Sequence, residues 1–160
     1  MTNQEVADIF YRLADLLEIK GEMIYKISAY RKAADSIMHD GRDIAALWQA
    51  GQARTIAGVG DAIEKKIGEI LSTGRLRLLD EVRATVPDEL ITLLDVPGVG
   101  PRTARLLYEK LGVTNVAELE DAARRQLIRA LPGLGPKSEE NILHSIEMLH
   151  RGSDGAARLE

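Results

Sequence analysis

The sequence predicts an all-α fold: a small helical bundle that contains one helical hairpin, followed by a tandem of two more hairpins. Three observations lead there. Ala, Leu, Ile and Glu dominate while aromatic residues make up only 4%, a composition that favours short helices over sheet. Apolar residues recur at helical spacing along most of the chain. A Gly-hydrophobic-Gly tripeptide occurs three times, each time just ahead of such a stretch. With 160 residues and 45% hydrophobic content, the chain can bury a real core as one domain or two small ones.

Taken in order, Thr2 with Glu5 three residues on forms a capping box, and Val6, Ile9, Phe10, Leu13, Leu16 and Leu17 follow at helical spacing until Gly21. The segment from Met23 to Met38 predicts a second helix with Ile24, Ile27, Tyr30, Ala34 and Ile37 on one side and a stop near Gly41. A short third helix is expected over Asp43 to Ala50, with Trp48, the only tryptophan, in the core. The repeat follows, as TIAGVGDAIEKKIGEIL, DVPGVGPRTARLLYEKL and ALPGLGPKSEENILHSI. Seven and eleven residues after the second glycine every copy is apolar: Ile67 and Leu71, Leu107 and Leu111, Ile142 and Ile146. The copies stand 40 and then 35 residues apart, so the motif is reused and is not a regular solenoid. Further helices are expected over Arg75 to Ala84, Asp88 to Leu94, Val116 to Arg124 and Gln126 to Leu131.

Pro87 marks the best boundary, since proline interrupts a helix and the surroundings of Thr85 are polar. The expected domains are therefore 1–86 and 87–150. Beyond them, Arg151-Gly152-Ser153-Asp154-Gly155 lacks apolar periodicity and is expected to fray, giving a flexible tail over 151–160. The terminal Leu159-Glu160 resembles a cloning remnant, which points to a fragment of a longer protein.

Composition excludes several chemistries. Zero cysteines rule out disulfides, thiolate metal sites and a Cys nucleophile. His39, His144 and His150 are scattered without metal-ligand spacing, so they read as surface residues. No apolar run is long enough to cross a bilayer and no signal segment follows Met1, so a cytoplasmic protein without a membrane partner is expected.

A glycine-bounded turn leading into a helix leaves several amides unpaired and pointing outward, where the helix dipole adds partial positive charge. Glycine permits the left-handed corner of the turn and lets an anion approach the backbone. The candidate anion-binding residues are Gly58-Val59-Gly60, Gly98-Val99-Gly100 and Gly133-Leu134-Gly135, joined by Arg102 and Lys137 after the second and third turns. Pro101 and Pro136 occupy first-turn positions where a missing N–H costs nothing. Such a site grips phosphate through amides, so the net charge of −4 does not oppose it. The expected partner is nucleic acid, bound without sequence preference and with a modest salt dependence.

Three aligned copies resemble the helix-hairpin-helix motif of polymerases, ligases, glycosylases and nucleases. The resemblance implies a monovalent cation, Na⁺ or K⁺, held by hairpin carbonyls and bridging to the phosphate. Those carbonyls would belong to Ile56 and Val59, Val96 and Val99, and Leu131 and Leu134. The blocks KISAYRKAADSI (Lys26 to Ile37) and GVGDAIEKKIGEILSTGRLRLL (Gly58 to Leu79) closely resemble the small N-terminal domain of the family X, polymerase beta-like, DNA polymerases. The third copy, LPGLGPKSEENIL, is similar to the bacterial branch, whose full-length members add a polymerase core using Mg²⁺ and a phosphoesterase domain.

The resemblance further implies a site for the 5′-phosphate at a DNA gap, with Lys26 and Tyr30 as its matching residues, one helical turn apart. Two other lysines of the family pocket correspond to Ala62 and Leu78 here, while Arg31, Lys32, Arg75 and Arg77 stand nearby in sequence as candidate replacements. The family's lyase nucleophile falls on Lys66, whose amine would form a Schiff base with the sugar aldehyde before β-elimination. Helical geometry places Lys66 beside the stripe of Ile63, Ile67 and Ile70, and Lys65 almost opposite. The leading expectation is sequence-independent binding and positioning of gapped, nicked or primer-template DNA by the N-terminal region of a repair polymerase. In that reading the first hairpin holds the downstream strand and the second the primer strand. Lyase chemistry through Lys66, or an accessory subunit that recognises DNA junctions, are the alternatives. A glycosylase is disfavoured, because three short hairpins leave no room for a base pocket.

Overall fold

The computed structural model describes the backbone of residues 1–159 and side chains as far as Gly152. It is all-α, with no strand among the described residues, and divides into two compact units, Met1–Val86 and Pro87–Glu160.

In the first unit, α1 (Asn3–Lys20) starts where the Thr2 hydroxyl accepts from the Glu5 N–H at 3.1 Å, and ends at Gly21, which takes φ 80°. Its apolar stripe of Val6, Phe10, Leu13, Leu16 and Leu17 is buried. Helix α2 (Ile24–His39) packs along it through Ile27, Ala33, Ala34 and Ile37. Asn3 fastens the ends: its amide donates to the carbonyls of Ile37 and Arg42 at 3.2 and 2.6 Å, and its oxygen accepts from the Ile44 N–H at 2.9 Å. Helix α3 (Ile44–Gln49) begins on the Asp43 carboxylate. After a 3-10 turn, Ala53–Thr55, come α4 (Asp61–Thr73) and α5 (Arg77–Arg83).

The second unit opens with a 3-10 run, Asp88–Asp95, then α6 (Pro101–Leu111), α7 (Val116–Arg124), a 3-10 turn Ile128–Ala130 and α8 (Pro136–Leu159). Its core is built on Leu90, Leu93, Leu107, Leu119, Ile128 and Ile146, each fully buried.

Several expectations need correction. Ile24 is 79% exposed, because α2 begins there, before the helix reaches α1. Trp48 is only half-buried and packs against Gly68 of α4. The runs Asp88–Asp95 and Ile128–Ala130 are 3-10 and not α. Gln126, at φ 61°, follows the Arg125 cap of α7 in the left-handed region, and the helix expected over Gln126 to Leu131 is reduced to the 3-10 turn Ile128–Ala130. The backbone of α8 is helical through Leu159, across the segment expected to fray. Ala156, Ala157 and Leu159 beyond the last glycine are strong helix formers. Glu160 lies outside the described residues.

Candidate nucleic-acid interface

Each repeat joins a 3-10 turn to an α-helix through one tight turn. The N–H of Val59 donates to the Ile56 carbonyl at 3.1 Å, that of Val99 to Val96 at 2.9 Å, and that of Leu134 to Leu131 at 3.1 Å. The corner glycines Gly58, Gly98 and Gly133 take φ of 82, 94 and 77°. Pro97 and Pro132 precede two of them, as in a type II β-turn, whose third residue needs positive φ. The central Val59 and Val99 are 6% and 4% exposed and anchor the turn; Leu134 is half-buried.

The second glycine then starts the helix. The carbonyls of Gly60, Gly100 and Gly135 accept the first helical bonds from Glu64, Ala104 and Glu139 at 2.9, 2.9 and 3.1 Å. Gly60 and Gly100 supply no side-chain cap, so the first-turn amides lack intrahelical partners at the positive end of the dipole. Open space surrounds the position of a Cβ on Gly60, Gly100 and Gly135, and an anion can reach the backbone. Arg102 and Lys137 stand exposed beside the second and third of these ends. In the second unit the second turn lies against α8: a Cβ on Gly98 would lie 3.7 Å from Cγ1 of Ile142.

The turn carbonyls bear on the expected cation. Those of Ile56, Val96 and Leu131 each accept one turn bond and keep a second lone pair, as carbonyls do. With Val59, Val99 and Leu134 they make a set of neutral, hard oxygen donors. No cluster of three or more His, Cys, Asp or Glu occurs among the described residues. Neutral carbonyl oxygens of this kind suit a hard cation better than a soft transition metal.

Sequence reasoning missed a brace. The Arg129 guanidinium and backbone N–H both donate to Glu139, at 2.9 to 3.0 Å, and Glu139, 2% exposed, is the buried charged residue of the described core. Arg54 and Glu64 hold the same places around the first turn, 3.5 Å apart, with Asp61 also on Arg54. The corresponding pair at the second turn, Leu94 and Ala104, is apolar. An Arg six residues before the second glycine and a Glu four after it was the available signal.

In the first unit a cleft of about 510 Å³ brings together Lys26, Tyr30, Ala62 and Leu78, the four positions that the family comparison singled out. Lys20, Glu22, Tyr25 and Glu81 also line it, and none of these four was anticipated. Burial pushes the Tyr30 phenol above its ordinary range, opposed by the Lys26 ammonium, so at neutral pH it stays protonated and can donate. Tyr30 stacks on Phe10, ring centroids 6.1 Å apart. The Lys66 ammonium stands 5.9 Å from the Tyr30 centroid; Lys66 is half-buried and Lys65 exposed. Of the candidate replacements for the absent lysines, Arg31 is tied to Asp15 and Glu18 at 3.1 and 2.6 Å, and Arg75 to Asp80 at 3.0 Å. Arg77 lines a second groove with Lys65, Lys66 and Glu69. Among the described residues His39 bonds to the Asp35 carbonyl and His150 to the Glu120 carboxylate, and His144 is exposed.

These turns define a helix-hairpin-helix protein. Residues 1–76 match a helix-hairpin-helix domain family and residues 90–147 a SAM-like helix-hairpin-helix tandem. The chain is 31% identical to the DNA polymerase/3′-5′ exonuclease PolX of Bacillus subtilis, over 91% of its own length and 25% of the relative's. It is 31% identical to DNA polymerase lambda of Arabidopsis thaliana, over 88% of the chain and 25% of the relative. An ATP-dependent DNA helicase of Aeropyrum pernix is 30% identical over 60% of the chain and 12% of the relative. The chain belongs to the N-terminal helix-hairpin-helix regions of the family X DNA polymerases. It spans about a quarter of the length of the polymerases it matches. No helix among the described residues is long and apolar enough to cross a membrane.

Proposed function

We propose that this chain binds the sugar-phosphate backbone of DNA without reading sequence, and positions gapped or nicked duplex for a repair polymerase. The polymerase and phosphoesterase domains of a longer chain would be its natural partners. One observation carries the reading: three turns of the same geometry each present an uncovered glycine backbone at the positive end of a helix. Amides of this kind hold phosphates and not base edges. The cleft with Lys26 and Tyr30 supplies a place for the strand end that a gap exposes. Fluorescence anisotropy with gapped, nicked and intact duplex of one sequence should rank gapped and nicked above intact; equal weak binding to all three would remove the gap-positioning claim. The turn carbonyls support a monovalent cation at the hairpins. Replacing K⁺ by tetramethylammonium at constant ionic strength should then weaken binding, and an unchanged affinity would refute the cation.

A second reading, lyase chemistry, is favoured by the place of Lys66, half-buried with its ammonium over the ring of Tyr30, which lines the cleft. Its amine would add to the C1′ aldehyde of an incised abasic site, lose water to form the Schiff base, and let β-elimination release the strand. Borohydride trapping tests this. Cross-linking should disappear in Lys66→Ala, and a variant that still cross-links at wild-type yield excludes Lys66 as the sole nucleophile.

A further inference from the structure

The first hairpin lacks a group that the other two possess. Two residues past the second glycine, the second hairpin carries Arg102 and the third Lys137, both exposed, while the first has Ala62. Its own first turn is acidic, Asp61 and Glu64, and both carboxylates are engaged by Arg54. A charge reaches this turn from another helix. The stem of Lys32, on α2, runs across the corner of the hairpin: its Cγ, Cδ and Cε lie 3.2, 3.4 and 3.6 Å from where a Cβ on Gly58 would stand. Its neighbour Arg31 is neutralised by Asp15 and Glu18, whereas no carboxylate pairs with Lys32 among the described residues. Gly58 therefore meets two demands at once, the left-handed φ of 82° and room for a lysine stem.

We infer that Lys32 supplies to the first hairpin, from outside the motif, the phosphate-neutralising charge that Arg102 and Lys137 supply to the other two from their own helices. Packed against the turn, the stem loses part of its rotamer freedom before any ligand arrives, and a phosphate seated on the amides after Gly60 gains a cation that is already near. The inference rests on the backbone-binding reading above.

The test is the salt dependence of binding by the whole chain to one gapped duplex. Lys32→Gln, which keeps the stem, should lower the slope of log K against log salt by about 0.9, the value of one phosphate contact, and weaken binding several-fold. Lys32→Arg should keep the wild-type slope. Adding Ala62→Lys to Lys32→Gln, which puts a charge back at the place of Arg102 and Lys137, should restore it. Lys110→Gln, the same charge change at the far end of α6 from its hairpin, should leave the slope unaltered. If Lys32→Gln matches Lys110→Gln at an unchanged melting temperature, the role of Lys32 is refuted. Failure of the wild type to bind any duplex would instead overturn the backbone-binding reading beneath it.

Discussion

Gly68 occupies the middle of α4, where alanine would ordinarily be about 1 kcal/mol better. A Cβ there would stand 2.7 Å from Cζ2 of Trp48 and 2.9 Å from its Nε1. The ring packs against bare backbone, so the ordinary preference reverses. Gly68→Ala should destabilise the first unit by about 1–3 kcal/mol, the range for overpacking, read as a lowered urea midpoint; a stabilised variant would contradict the contact. That single glycine explains why Trp48 is half-buried when sequence puts it in the core: it covers a groove on α4. Tyr11 shows what one hydrogen bond does to a titration. Its hydroxyl donates to the Asp35 carboxylate, joining α1 to α2, and that bond, with some burial and the nearby negative charges, pushes the phenol up to about 12. The folded state holds this proton more tightly than the unfolded chain. The stabilisation is therefore complete below about pH 10 and lost as the pH climbs towards 12. The alkaline fall in unfolding free energy should be shallower in Tyr11→Phe, and an identical fall would refute the link.

At the scale of the element, the three hairpins share a turn and differ in what braces it. Phosphate binding by amides needs the 3-10 turn held in register with the following helix, because a small rotation turns the N–H groups away from a common point. The third hairpin does this with Glu139, whose carboxylate is buried under Arg129 and fixes both its guanidinium and its N–H. Glu139→Ala would leave that guanidinium and amide without their partner. With Arg129 a third exposed, it should cost about 1.5–3 kcal/mol, the range for lost hydrogen bonds to a charged group, whereas Glu64→Ala, at a more exposed pair, should cost less than about 1. Chemical denaturation compares the two, and equal losses would contradict the burial argument. The turns themselves were legible, since a glycine, an apolar residue and a second glycine, with proline ahead of them in two of the three copies, specify corner, anchor and helix start in consecutive positions. The 3-10 character of the preceding segments was not. Whether a short apolar run closes i→i+3 or i→i+4 bonds depends on where its neighbours hold its ends, and periodicity over so few residues does not separate the two.

Across the whole molecule, each unit carries its own fully buried side chains, Phe10, Leu13, Ile37, Ile67 and Ile70 in one, Leu90, Leu93, Leu107 and Ile146 in the other. Residues 1–86 and 87–160, produced separately, should each give a helical circular dichroism spectrum and a cooperative melt; a half that stays unfolded would show that its core is not self-sufficient. The all-α class, the three turns and the match to the family X N-terminal regions were determined by the sequence itself. Helical spacing, glycine at left-handed corners and the order of motifs are local properties that neighbours along the chain enforce. Tertiary structure alone decided which charges stand free and where. Arg31 and Arg75 are locked to carboxylates, and Ala62 and Leu78 share one cleft with Lys26, Tyr30 and the unforeseen Lys20, Glu22 and Glu81. Lys32 crosses from α2 to a turn 26 residues further along the chain. Charges meet across distances that periodicity does not encode, and the packing of helix on helix sets which ion pairs close and which cation is left to face a phosphate.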